Sequence, residues 1–408
     1  MKAEILVNNS RDAGARYVGW SPSPARIRLS DLRGVTRSVK VTLRSVSAPG
    51  GGQLVFYAAR SSAPRASLTL DLPSDGSTVS FQVAGRFGKP SRADGDVSIV
   101  VKAGAEELAS VPVMVRIRKD ATTLTAAERD RFIDAFARLN NRGTGRFADF
   151  RNMHVTGAAS AQAHGNPGFL SWHRAYLLDL ERELQAIDPS VALPYWRFDK
   201  PAPSLFTPEF LGASDALGTV QFGPTNPLQF WSTDGVQGVK RRPLFDTATE
   251  GGIDLLSEAQ TLALGTDFID FETLEGDPHG SAHVSFGGSI SSIGTAAKDP
   301  LFFLLHANVD RLWAKWQRKN NRFDPDDEAS YDNSPGHPVG HRLADSMWPW
   351  NGVTGAPRPL DAPGGALAGS PCTTSPGPQP RVMDCIDYQG SVSPQGRLGF
   401  DYDDVRFA

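Results

Sequence analysis

The chain has 408 residues, 40% of them hydrophobic and 21% charged, with a formal net charge of −3. That composition is ordinary for a folded globular protein, and the near-neutral balance leaves no basic footprint for nucleic acid. A chain of this length exceeds what one core usually organises, so two domains are expected.

Taken in order, the N-terminus offers only the apolar run Ile5-Leu6-Val7 before Asn8 and Asn9. That is far short of a signal-peptide core, and no later stretch approaches membrane-spanning length. No membrane partner is expected. The expected address is the cytoplasm, with export carried on a partner protein as the alternative. Val39, Val41 and Leu43 alternate with Lys40, Thr42 and Arg44. Leu68, Leu70 and Leu72 do the same, as do Val79, Phe81 and Val83. Period-two alternation puts one face of a strand in a core and the other in water. Seven or eight such strands, separated by Gly/Pro/Asp/Ser clusters, predict an antiparallel, immunoglobulin-like sandwich over residues 1–119.

The pattern changes at Lys119-Asp120, where a mainly α domain over 120–408 is expected. Thr125-Ala126-Ala127-Glu128 fits a capping box, followed at helical spacing by Phe132, Phe136 and Leu139. A second helix is predicted from Ser171 to Ile187, stopped by Asp188-Pro189. A third is predicted over His279 to Val284 and a fourth from Pro300 to Lys319. From Asn320 to Gly396 the chain is rich in Pro, Gly and Asp and reads as loop wrapped on the helices. Cys372 and Cys385, the only cysteines, read as free thiols.

Of eight histidines, six form two clusters: His154, His164 and His173, then His279, His283 and His306. A neutral imidazole offers one nitrogen to a metal while its other nitrogen is held by a neighbour. Three imidazoles without a thiolate suit copper or zinc, and two such sets suggest a pair of metals. His279 and His283, four apart, share a helix face. Gly280-Ser281-Ala282 between them lacks the glutamate of a zinc-protease pair. His337 and His341 have Pro338 and Gly340 between them and read as loop histidines.

The stretch His164-Gly165-Asn166-Pro167-Gly168-Phe169-Leu170-Ser171-Trp172-His173-Arg174 resembles the first copper signature of the tyrosinase family, as does Leu193-Pro194-Tyr195-Trp196 after it. Glu275-Gly276-Asp277-Pro278-His279-Gly280-Ser281-Ala282-His283, then Asp299-Pro300-Leu301-Phe302-Phe303 through His306 to Trp313, resembles the second. Gly399-Phe400-Asp401-Tyr402 resembles the tyrosine motif that closes these catalytic domains. The resemblance spans 122–408 and leaves out the N-terminal sandwich. For that sandwich three roles stand open: covering the active-site entrance, mediating a homo-oligomer, or stabilising the fold.

The resemblance implies a four-helix-bundle centre with two copper ions, CuA on His154, His164 and His173 and CuB on His279, His283 and His306. It implies O2 as co-substrate and a small phenolic substrate, with o-diphenols or o-aminophenols oxidised to o-quinones. Ortho-hydroxylation of monophenols also needs a base for the phenol proton. Family members are proposed to hold a water for it between an acidic residue, here Glu275, and an asparagine, whose position here is Gly280. Weak monophenol hydroxylation is therefore expected. Arg174 and Asp310 are expected to fix imidazole orientation, and Ile293 to sit as a gate over CuA. Leu305 replaces the first histidine of a frequent His-His pair. Gln162 stands where many relatives carry a cysteine, so the Cys–His thioether cannot form there. A haemocyanin-like O2 carrier and a degenerate zinc-binding relative are the competing readings.

Overall fold

The computed structural model describes residues 1–59, 61–155, 161–352 and 363–407. The chain divides into two compact units: Met1–Ile117 with Ser370–Ser375 and Gln389–Ala408, and Arg118–Gly369 with Pro376–Tyr388.

The first unit holds nine strands among the described residues: β1 (Lys2–Val7), β2 (Tyr17–Val18), β3 (Ser23–Asp31), β4 (Val39–Ser47), β5 (Leu54–Ala58), β6 (Ser67–Leu72), β7 (Val79–Gly85), β8 (Val97–Ala103) and β9 (Glu106–Val115). They form a four-stranded sheet, β1-β3-β7-β5, and a five-stranded sheet, β2-β9-β8-β4-β6. All pairs are antiparallel except β2 with β9. The alternation seen in the sequence sets the register. Val41 faces Leu70 and Leu43 faces Leu68, so each apolar pair lies on one face. Val41, Leu43, Phe56, Phe81 and Val83 then meet in a single core from both sheets.

The C-terminal tail belongs to this unit, which corrects the expectation that 120–408 would form one domain. The physical reason is Asp401, a buried carboxylate whose donors lie in the β unit. Its Oδ2 accepts from the Trp20 N–H at 2.8 Å and the Ser21 N–H at 3.2 Å, and its Oδ1 from Gln389 Nε2 at 2.6 Å. Gly19 is required beside it, since a Cβ there would stand 2.2 Å from Oδ2. The motif Gly399 to Tyr402, expected to close the helical domain, is thus anchored on Trp20.

Removing a common acceptor strands these buried donors, so Asp401→Ala should cost about 1–3 kcal/mol. Burial also pushes the Asp401 carboxyl up to about 6 from its ordinary value of 3.8. The native state therefore binds this proton more tightly than the unfolded chain does. This contribution is fully present below the lower value and is lost as pH rises through the higher. Asp401→Asn keeps an acceptor but cannot titrate, so urea unfolding at acid and neutral pH should show it lacking that slope. Equal slopes in the two proteins would contradict this account.

The second unit is built on α1 (Ala126–Leu139), α2 (Phe147–Val155), α3 (Gly168–Ile187), α4 (Ser281–Val284) and α5 (Leu301–Asn320). The expected capping box starts α1, with Thr125 and Glu128 bonding reciprocally. Its buried face carries Phe136, whose ring packs at 5.5 Å on Phe147, 5.1 Å on Trp231 and 5.6 Å on Phe303. Each such fully buried ring contributes roughly 1.5–3 kcal/mol.

Three of these helices differ from expectation, one of them α4, which begins at Ser281 rather than His279. Helix α2 has no counterpart in the sequence pattern, because its buried apolar residues are only Phe147, Phe150 and Met153, too few to show a period. Helix α3 begins at Gly168 rather than Ser171, because His341 caps it from far along the chain. The Gly168 N–H donates to His341 Nδ1 at 3.1 Å, and His341 Nε2 bonds the Ala161 carbonyl at 2.9 Å. A carbonyl only accepts, so the proton sits on Nε2.

His341 lies in the loop-rich segment, as expected. The part of that segment at 353–362 lies outside the described residues. Cys372 and Cys385 are both buried and free. No helix of the described residues is long and apolar enough to cross a membrane.

Candidate metal centre

Six local structures deliver the six histidines, one each. His154 ends α2, held there as Tyr176 Oη donates to the Phe150 carbonyl at 2.5 Å. His164 lies in the turn before α3, and His173 projects from α3. His279 lies in the tight turn Gly276–Gly280, His283 on α4 and His306 on α5. Of these elements only α3 and α5 are long helices, and α4, which carries His283, is a single turn.

The ring nitrogens are sorted by main-chain carbonyls. His173 Nδ1 bonds the Phe169 carbonyl at 2.9 Å, His279 Nδ1 the Glu275 carbonyl at 2.7 Å and His283 Nδ1 the Ile290 carbonyl at 2.7 Å. Since a carbonyl can only accept, each Nδ1 carries the proton and each Nε2 presents a lone pair. The Nε2 atoms of His279 and His283 lie 3.3 and 3.2 Å from His306 Nε2.

Three metal bonds of about 2.0–2.1 Å at near-tetrahedral angles place ligand nitrogens about 3.3 Å apart. In each triad one nitrogen per ring falls within 4.8 Å of the other two. His173 Nε2 and both nitrogens of His154 are buried without a hydrogen bond, the main chain of Ile293 approaching His154 outside hydrogen-bond geometry. Converging, unpartnered lone pairs are what a cation would satisfy, so the donor set fits a metal in each triad.

The triads face each other. His173 and His306 stack with ring centroids 4.2 Å apart, and Phe302 packs at 4.1 Å on His306 and 4.7 Å on His154. Burial, and after it mostly the neighbouring imidazoles, hold His154, His173, His279 and His306 well below the ordinary imidazole range. His283 is pulled down to about 4, chiefly by burial. These rings are neutral at pH 7 and ready to ligate.

A cavity of about 300 Å³ opens beside them, lined among others by His154, His164, His279 and His283 together with Glu275, Gly280 and Ile293. Burial pushes Glu275 up to about 7, while its two oxygens accept the Gly165 N–H at 2.8 and 3.0 Å. At Gly280 a Cβ would meet only the Glu275 carbonyl, at 3.5 Å, so a side chain has room there. Ile293 is half exposed at this cavity, and Val284, which the sequence reading missed, is 61% exposed in the same wall. Its signal is an apolar residue directly after His283 on a helix too short to bury it.

The family model for the common central domain of tyrosinase matches residues 144–319. A tyrosinase from Streptomyces glaucescens is 35% identical over 267 residues, covering 59% of this chain and 94% of that protein. One from Streptomyces antibioticus is 34% identical over 269 residues, with 59% and 94% covered. The hemocyanin beta-C chain unit D of Helix pomatia is 33% identical over 225 residues, with 51% of this chain and 53% of that protein covered.

The chain belongs to the tyrosinase family. This tyrosinase-family chain is a type-3 copper protein by that membership. Gln162, standing at the thioether position, is buried; its Oε1 accepts the Trp348 N–H at 2.8 Å and its Nε2 donates to the Val339 carbonyl at 3.2 Å. Leu305, beside His306, is fully buried packing.

Arg174 and Asp310, expected to orient imidazoles, form a buried ion pair that joins α3 to α5. Arg174 Nε donates to Asp310 Oδ1 at 2.6 Å, and the guanidinium stacks 3.6 Å from the centre of the Trp313 ring. Asp310 Oδ2 also accepts from Arg118 Nη1 at 3.2 Å. The two residues sit next to His173 and one turn after His306, on the two helices that carry those histidines.

Proposed function

We propose that this protein oxidises o-diphenols, or related o-aminophenols, to o-quinones with O2, and hydroxylates monophenols more weakly. The observation that carries this reading is the pair of facing histidine triads opening on a cavity with one carboxylate in its wall. Bound at the two triads, a pair of copper ions would take electrons from the substrate and pass them to O2. The chain's own residues do the rest. Phe302 and the buried rings keep water away from the histidines, and the half-exposed Ile293 leaves the cavity reachable by a flat ring. The open cavity favours an oxidase over the hemocyanin-like alternative of O2 carriage.

Monophenol hydroxylation requires the phenol proton to leave before the ring can be bound. Glu275 is the carboxylate within the cavity wall, but its oxygens are engaged by the Gly165 N–H. Gly280 has no side chain to hold a water against it. Initial rates on a monophenol and its matching diphenol test this, and comparable rates would overturn it. Gly280→Asn places an amide in the open space and should raise the monophenol-to-diphenol rate ratio by roughly tenfold. Supplying O2 to the copper-loaded, reduced protein and following near-ultraviolet absorption separates copper from zinc. Adding a catechol then separates oxidase from carrier.

A further inference from the structure

Within the two-sheet unit, two neighbouring cavities of about 360 and 680 Å³ share Pro22, Gln82, Pro394 and Arg397 as lining. Arg397 is the only charged side chain lining either of them among the described residues. It is 9% exposed. Its hydrogen bonds all go to neutral oxygens: the Pro22 carbonyl at 2.7 Å, Asn8 Oδ1 at 2.9 Å and the Cys372 carbonyl at 3.0 Å. A guanidinium has five N–H donors, so two remain without a partner.

Among the described residues no carboxylate pairs with it. Asp401, whose charge it feels, is already held by Gln389, Trp20 and Ser21. A buried cation with no carboxylate in direct contact is costly, and it sits at the wall of a space large enough for a small organic molecule. The rest of that wall is neutral, with Tyr57 and Phe407 supplying aromatic surface beside the two prolines.

We propose that this pair of cavities binds a ring-bearing monocarboxylate, with the carboxylate on Arg397 and the ring against Tyr57 and the prolines. A single cation matches a single carboxylate, and a guanidinium receives a carboxylate in bidentate fashion. A multiply charged phosphate would be left under-neutralised. Hydroxyl groups on the ring meet the neutral amide of Gln82. Two sources share this chemistry, the uronic acids of polysaccharides and the phenolic acids.

The test is calorimetric titration of the copper-loaded full chain with D-galacturonate, 3-hydroxybenzoate and, as the neutral control, D-galactose. At least one acid binds, with galactose at least tenfold weaker; tighter galacturonate assigns a uronic-acid site, and tighter hydroxybenzoate that Gln82→Trp weakens assigns a phenolic-acid site apart from the histidine-lined cavity. The Gln82 side chain makes no hydrogen bond and lines both cavities, so Gln82→Trp fills them and weakens the acid at least tenfold while diphenol turnover is unchanged. Arg397→Lys, which keeps the charge but not the planar fork, weakens it less. Absence of binding by either acid, equal binding of galactose, or an unaltered affinity in Gln82→Trp overturns the proposal.

Discussion

Replacing His306 with alanine should halve the copper held per chain and abolish diphenol oxidation. His306 is the ligand on which the geometry converges. The Nε2 atoms of His279 and His283 lie 3.3 and 3.2 Å from its own, and its ring stacks on His173 of the other triad at 4.2 Å. Without it one metal loses a third of its ligands, and the two sites lose the ring that spaces them. Losing only an outer hydrogen-bond partner of a ligand costs roughly 10–100-fold. Loss of the ligand itself should therefore lower turnover by on the order of a thousandfold. Metal analysis of the copper-reconstituted variant gives the stoichiometry and catechol turnover the rate. The Phe302 contact at 4.1 Å is lost as well, so far-ultraviolet circular dichroism must show the helices intact. Unchanged copper content with unchanged turnover would show that the triads are not the metal centre.

The second large effect is on stability. Asp310→Ala removes the carboxylate that neutralises Arg174 and assists Arg118, whose side chains are fully buried. Breaking a buried pair by deleting one partner costs about 3–5 kcal/mol, because the remaining charge stays desolvated. Arg118 retains Glu181 at 2.8 Å, and Arg174 retains its stacking on Trp313, which places the expectation in the lower part of that range. Asp310→Asn, which keeps an acceptor for Arg174 but loses the charge, should fall between wild type and alanine. Of the eight tryptophans only Trp20 belongs to the two-sheet unit. Tryptophan fluorescence in urea therefore reports chiefly on the helical unit and avoids treating two units as one transition. A midpoint within error of wild type would mean that the pair does not hold α3 to α5. A fall in copper affinity alongside the stability loss would show that helix docking also sets the ligand geometry.

Much of the site was legible because histidine is scarce in this chain and its neighbours are distinctive. His279 and His283 declare a shared face through their four-residue spacing, and that face holds even though the turn before α4 interrupts the helix. His154 was legible as a member of its triad while its helix was not, since α2 offers too few apolar residues to show a period. The alternation in β4 and β6 predicted their buried faces, because burial of one sheet face leaves a signature in neighbouring residues, while the pairing of Val41 with Leu70 came from the fold.

What the sequence by itself determined is therefore local: the six imidazoles, the strand faces, the capping box at Thr125, and the bare Gly280 beside a ligand. Each depends on residues a few positions apart, where backbone geometry alone dictates which side chains meet. The tertiary structure decided what lies far apart in the chain. Arg174 meets Asp310 across 136 positions, the Gly168 N–H is capped by His341 across 173, and Asp401 receives Trp20 across 381. A buried polar group must find a partner wherever the fold supplies one. Burial makes those partners obligatory, and only the packed chain determines which they are.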